Sequence, residues 1–159
     1  MRFLTKLAIA LVGWNFLPPA EAPAETRIVP AGQTFRCTPT LVWDGDGPVF
    51  CAEGPKIRIA GVAAREMDGT CRPNQPCPPV SALDARDRLV KLLGGSRGTT
   101  NDGHVMVRSV TMECRSDGSA GGLRTAAWCT SPALGDLSCA TVRAGGALQW
   151  PRYWRDHRC

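Results

Sequence analysis

The sequence predicts a β-rich α+β domain held by disulfides, on three observations. Strand-like runs flank the turn "DGDG" and recur downstream, a helical stripe runs through "VSALDARDRLVKLLGG", and eight cysteines are spread over positions 37 to 159. Together they give three strands, a helix, two strands and a second helix.

The chain opens with Arg2 and Lys6 ahead of an apolar run from Leu7 to Leu17, followed by small residues. That pattern is a secretory signal peptide. The run is too short to span a bilayer core of roughly 30 Å as a helix, and Pro18 and Pro19 end it, which favours a cleaved signal over an anchor. Ala22 and Ala24 favour a cut after Ala24, with Ala22 as the alternative, so residues 1–24 are read as signal and 25–159 as one domain. The expected product is a secreted or periplasmic monomer, not inserted in a membrane once the signal is gone.

What remains suits a single domain with a modest core. The formal net charge is +5, and the signal carries Arg2 and Lys6 against Glu21, so the mature domain is one unit less positive. Such a balance suits a polyanionic partner without identifying one. An even number of cysteines in an exported chain argues for disulfides over reactive thiols. Zinc is disfavoured, because no C-x₂-C pair occurs and His104 and His157 stand far from any paired cysteines. Spacing does not fix connectivity, but closeness along the expected hairpins points to Cys37 with Cys51, Cys71 with Cys77, Cys114 with Cys129 and Cys139 with Cys159.

Residues 36–44 and 49–61 read as strands around the hairpin turn Gly45-Asp46-Gly47-Pro48. In "KIRIAGV" a period of two puts Ile57 and Ile59 on one face and Lys56, Arg58 and Ala60 on the other. "EMDGTCRPNQPCPP" is turn chemistry throughout, with Pro73, Pro76, Pro78 and Pro79 forbidding a regular element. Ser81 then caps a helix whose stripe is Leu83, Ala85 or Arg86, Leu89, Val90 and Leu93, ended by Gly94 and Gly95. "HVMVRSVTMEC" and "GGLRTAAWC" read as two strands separated by the polar "RSDGSAG". A second helix spans about Leu137 to Ala144 before Gly145 and Gly146.

The order of "WDGDG", "KIRIAGVAARE", a helix, "GGLRTAAWC" and "DLSCATVRAGGALQW" resembles the staphylococcal nuclease (thermonuclease) family over most of the mature chain. Members typically show V-x-D-G-D-T, R-L-x-G-I-D-A-P-E, Y-G-R-x-x-A and V-N-x-x-L-V-R-x-G-x-A. The resemblance implies a five-stranded OB-fold-type barrel with two to three helices, and a calcium-assisted phosphodiesterase acting on DNA or RNA. It sets Asp46 on the first metal carboxylate, Arg58 and Arg124 on the two catalytic arginines, and Glu66 on the catalytic glutamate.

The implied chemistry is coherent. Attack of water on an anionic phosphodiester requires positive charge on the phosphoryl oxygens, which two forked guanidinium groups supply. Ca²⁺ prefers carboxylate and carbonyl oxygens and polarises the phosphate, while Glu66 would position or deprotonate the water.

The departures weigh against this. Ala63 replaces the second metal carboxylate, Arg65 the proline, Gly47 the threonine after D-G-D, and Gly122 the tyrosine. Either calcium binds with help from substrate, or it does not bind. Two compensations stand: Asp44 as a partial replacement ligand, and Arg65 as a charge that binds phosphate without metal.

Taken singly, Asp44 and Asp46 read as an Asx-type turn, Arg58 and Arg124 as solvated strand residues, Glu66 as a surface acid, and His104 and His157 as surface residues. Trp150, Tyr153 and Trp154 among Arg152, Arg155 and Arg158 form either a nucleic-acid surface or a core plug with a charged rim, the plug being favoured. The rival to a nuclease is an inactive relative of the same fold, kept as a nucleic-acid-binding or structural envelope module; a small secreted inhibitor or adhesin is a third reading.

Overall fold

The computed structural model describes residues 27–159. The signal-peptide reading and its cleavage site fall on residues outside that range. The elements are β1 (Thr34–Cys37), β2 (Pro39–Val42), β3 (Val49–Cys51), β4 (Lys56–Ile59), β5 (Val62–Ala63), α1 (Ala82–Leu92), β6 (Ser96–Thr99), β7 (Val105–Val107), β8 (Met112–Ser119), β9 (Arg124–Ser131), β10 (Gly135–Asp136), α2 (Leu137–Arg143), β11 (Leu148–Gln149) and α3 (Pro151–Trp154). No helix among the described residues is long and apolar enough to cross a membrane.

The fold is α+β and β-rich. Its main sheet has the order β1-β8-β9-β4-β3-β2-β7-β6, with β10 on β9, and curls into a half-barrel. β4 and β9 run parallel; β5 and β11 make a separate two-stranded pair. In β4 the alternation holds as expected: Ile57 and Ile59 are buried, whereas Lys56 and Arg58 are partly exposed. Val42, Val49, Leu89, Leu93, Met112 and Leu137 complete the centre of the core.

Helix α1 forms where its caps place it. Ser81 Oγ accepts from the Asp84 amide at 3.1 Å, satisfying one of the free N–H groups of the first turn. Its buried face is Ala82, Ala85, Leu89 and Val90. Leu83, expected in that stripe, is 54% exposed. Small residues face the sheet because the helix lies very close to it: a Cβ on Gly45 would stand 2.7 Å from that of Ala85 and 2.9 Å from that of Ala64. Helix α2 is N-capped by Asp136, whose Oδ1 accepts from the Cys139 amide at 2.8 Å.

Several strands differ from the sequence reading. The run 36–44 splits into β1, which pairs with β8, and β2, which pairs with β3 and β7. "HVMVRSVTMEC" is likewise two strands, β7 and β8, and β8 continues through the polar stretch read as a linker. Its alternation was masked by Ser116, which is fully buried and donates to the Val29 carbonyl at 2.8 Å. A buried, bonded hydroxyl occupies a core position without looking apolar.

All four disulfides join the cysteines expected from closeness along the chain: 37–51, 71–77, 114–129 and 139–159. Cys114 and Cys129 are directly opposite in the β8–β9 ladder. The tail is a core plug in part: Trp154 is buried against Trp128, whereas Trp150 is half-buried and Tyr153 is 44% exposed. His104 and His157 are not free surface residues. His104 packs on Trp43 and Phe50, and His157 stacks on Trp128 with ring centroids 3.9 Å apart.

Candidate functional site

The turn between β2 and β3 is drawn inward by α1, so its carboxylates are buried: Asp44 is 5% exposed and Asp46 is 2% exposed. Arg58 reaches Asp46 from β4 as a fork, Nη1 to Oδ1 at 2.6 Å and Nη2 to Oδ2 at 2.9 Å. The Ala64 amide adds a third bond to Asp46 Oδ2 at 2.8 Å, and Asp44 Oδ1 accepts from the Asp46 amide at 3.1 Å. Three donors converging on one carboxyl require it as an acceptor. Burial pushes Asp46 upward while the Arg58 guanidinium and the Ala64 N–H oppose it. Burial and the neighbouring Asp46 charge push Asp44 up to about 7.

Gly47 is fixed by the backbone. Its φ is +114°, and a Cβ there would lie 2.6 Å from the Ile57 carbonyl oxygen.

The residues present do not fit calcium, which takes roughly six to eight oxygen ligands. Both oxygens of Asp46 are committed to Arg58 and Ala64, and Ala63 is fully buried in the β5–β11 pair with no donor to offer. Asp44 leaves one oxygen outside that network, which is too small a set. Arg65 does not supply the missing function either. Its guanidinium donates to the carbonyls of Gly69, Pro78 and Val80 at 2.8, 3.0 and 3.4 Å, pinning the Pro-rich loop.

Beside this buried network lies a cleft of about 610 Å³. Arg58, Arg72, Arg115, Arg124 and Arg155 line it with a single acid, Asp117, and with Trp150 and Tyr153. Register explains the first pair. In the parallel β4–β9 ladder Lys56 stands opposite Arg124 and Arg58 opposite Ala126, so the two arginines share one sheet face two residues apart. Arg124 bends back on its own turn, with Nε to Gly121 O at 3.1 Å and Nη2 to Ala120 O at 3.3 Å. Arg58 also lies over the Trp150 ring, 5.8 Å from its centroid.

Glu66 reaches the cleft through Arg72, whose Nε lies 2.7 Å from Glu66 Oε1. Asp44 and Asp46 lie beneath the cleft and do not line it. The positive charge is partly compensated: Arg58 by Asp46, Arg72 by Glu66, and Arg115 by Asp117 at 3.9 Å. Among the described residues, Arg124 and Arg155 have no carboxylate within salt-bridge distance, and they give the cleft its uncompensated charge.

Arg72, Arg115 and Gln75 were missed from sequence. Gln75 is 8% exposed, lines the cleft and donates from Nε2 to the Ala64 carbonyl at 2.6 Å. Arg72 and Gln75 sit between Cys71 and Cys77 in a stretch that reads as loop punctuation, and the usable signal was the closure of that short loop by its own disulfide. Arg115 alternates outward from buried Cys114 and Ser116 on β8, in a stretch whose polar composition reads as a linker. The chain matches no family model, and no curated protein or solved structure is significantly similar to it.

Proposed function

We propose that this protein binds the phosphodiester backbone of a nucleic acid in the arginine-lined cleft. The observation that carries the reading is the meeting of five arginines and two aromatic rings on one concave surface. Forked guanidinium donors match the non-bridging oxygens of a phosphodiester, and an exposed aromatic face offers a platform to an unstacked base. Single-stranded DNA or RNA combines both features. The likeness to thermonucleases is part of the same proposal. If β7 and β8 are taken as one bent strand, the pairings trace a five-stranded circuit β2-β3-β4-β9-β8/β7-β2, which supports the OB-type barrel. The four disulfides suit export to an oxidising compartment.

A second reading is hydrolysis, favoured by the contact of Glu66 with a cleft arginine. In it Glu66 takes the proton of a water attacking phosphorus, Arg58 and Arg124 hold the phosphoryl oxygens as charge builds, and the ester P–O bond breaks with its leaving oxygen taking a proton from solvent. This step is written without calcium, for which the donor set is inadequate.

One experiment separates the readings. A labelled single-stranded oligonucleotide is titrated with protein at several salt concentrations, and the mixture is then assayed for cleavage with calcium or with EDTA. Binding that weakens with salt and drops about tenfold or more in Arg124→Ala supports the interface. Cleavage abolished by Glu66→Ala adds catalysis. Binding that neither Arg124→Ala nor Arg155→Ala changes overturns the proposal.

A further inference from the structure

The C-terminal segment is tied to α2 by the Cys139–Cys159 disulfide, and two other metal-ligating groups stand against that bond. His157 Nε2 lies 3.7 Å from Cys139 Sγ and 3.2 Å from Asp136 Oδ2, and the three ligand atoms are all within 4.8 Å of one another. Along the sequence the histidines stand far from any C-x₂-C pair, but the fold brings His157 against the Cys139–Cys159 bond.

We infer that reduction of the Cys139–Cys159 disulfide converts this corner into a zinc site with ligands Asp136, Cys139, His157 and Cys159. The spacing fits. Zinc–sulfur bonds of about 2.3 Å and zinc–nitrogen or zinc–oxygen bonds of about 2.0 Å at tetrahedral angles put ligand atoms roughly 3.3–3.8 Å apart. The Cys139 Sγ···His157 Nε2 and His157 Nε2···Asp136 Oδ2 distances already lie at or near that range; Cys139 Sγ and the Asp136 oxygen lie within 4.8 Å, and the two sulfurs, now bonded to each other, separate on reduction. Asp136 is prepared for the role, since Oδ1 is engaged in capping α2 and Oδ2 is the oxygen turned to His157. Three of the four ligands are largely enclosed, with Cys139 1% exposed and the Asp136 and His157 side chains 18% and 23% exposed, while Cys159 is exposed and closes the corner from the solvent side.

The step balances with a dithiol as reductant. The dithiol gives two electrons and two protons, the Cys139–Cys159 bond breaks to two thiols, and the dithiol closes to its own disulfide. On binding Zn²⁺ the two thiols release their two protons to water. The metal then holds in a reducing environment the same tail that the disulfide holds in an oxidising one. That tail carries Trp150, Tyr153 and Arg155 into the cleft wall, so the cleft keeps its shape in both states. The inference does not depend on what the cleft binds.

The test uses the full chain, oxidised or reduced with a phosphine, which competes for zinc less than a dithiol does. Bound zinc is measured after gel filtration, and thiols left reactive in its presence are mapped by alkylation and mass spectrometry. The oxidised protein should carry no zinc and the reduced protein one ion per chain, with Cys139 and Cys159 shielded from alkylation. His157→Ala should weaken binding at least tenfold. So should Asp136→Asn, which still caps the helix and therefore isolates the ligand role. The Cys71→Ser/Cys77→Ser variant should bind as wild type. The inference is overturned if the reduced protein takes up no zinc, if it unfolds with zinc present, if other cysteines are the shielded ones, or if His157→Ala binds as tightly as wild type.

Discussion

Arg58 and Asp46 form a forked ion pair with side chains only 13% and 4% exposed, and it fixes both the turn and the cleft. The carboxylate sits below the cleft and the guanidinium in its wall, so the acid acts through the arginine and not on a ligand directly. A buried pair of this kind gains little over an apolar pair of the same shape, but removal of one partner strands the other. Asp46→Ala should therefore lower stability by about 3 kcal/mol or more. Asp46→Ala/Arg58→Met should lose clearly less than the sum of the single variants. Urea unfolding of the four proteins gives the coupling; additive losses would mean that the fork contributes nothing.

Asp44 predicts a pH dependence of stability. Its folded pKa of about 7 lies above the ordinary 3.8 because of burial and the adjacent Asp46 charge. The unfolded chain therefore ionises first as pH rises. Stability falls from about pH 4, and the loss is complete once pH passes about 7. The loss is on the order of 4 kcal/mol at about 1.4 kcal/mol per unit. Burial raises Asp46 in the same sense. Glu53, Asp68 and Asp102 are lowered by their hydrogen bonds and act in the opposite sense, so the comparison must be with Asp44→Asn. The variant should be close to wild type at pH 4 and more stable at pH 8; equal stability of the two proteins at pH 8 would refute the assignment.

The legible and illegible parts of this molecule divide along physical lines. Helices α1 and α2, the face of Ile57 and Ile59 and all four disulfides could be read because caps, period-two alternation and short cysteine separations are local signals, whereas the single turn α3 carries no such signal. Arg58 and Arg124 could be matched by order along the chain, but their common sheet face depends on the parallel register of β4 and β9, which no local pattern encodes. The capture of Asp46 by Arg58 was hidden for the same reason, since it rests on α1 pressing the turn inward through Gly45 and Ala85. Arg72, Arg115 and Gln75 lie on segments whose composition says only loop or linker.

Gly47 is a position where a side chain should not be tolerated. Threonine there must adopt a φ near +114° and would meet the Ile57 carbonyl, so Gly47→Thr should destabilise by about 2 kcal/mol or more. Gly32, also at positive φ but with open space around a Cβ, is the control that isolates the steric part, and Gly32→Ala should cost about 1 kcal/mol. Thermal unfolding of both variants decides it; similar losses would mean that the contact with Ile57 relaxes.

The Cys71–Cys77 loop should matter more for binding than for folding. Closing so short a loop is worth about 2 kcal/mol, against about 3 kcal/mol for Cys114–Cys129. Yet the short loop carries Arg72 and Gln75 into the cleft wall. Cys71→Ser/Cys77→Ser should thus remain folded and lose several-fold in oligonucleotide affinity. Cys114→Ser/Cys129→Ser should lose more stability with less effect on affinity once it is folded. Denaturant midpoints and binding curves on the two variants test this, and the opposite ranking would detach the loop from the interface.

Trp150 offers the sharpest separation of base stacking from simple charge. It is half-buried, lies against Arg58 and meets Tyr153 edge-on with centroids 4.8 Å apart. A stacked base is typically worth about 1–3 kcal/mol. Trp150→Ala should therefore weaken single-stranded binding by roughly tenfold while leaving its salt dependence unchanged, because no phosphate contact is lost. Arg155→Ala should instead reduce the salt slope by about one charge. Trp150→Phe, which keeps a ring, should retain most of the affinity. If Trp150→Ala changes only the salt slope, the ring serves to position Arg58, and the cleft recognises polyanions without regard to bases.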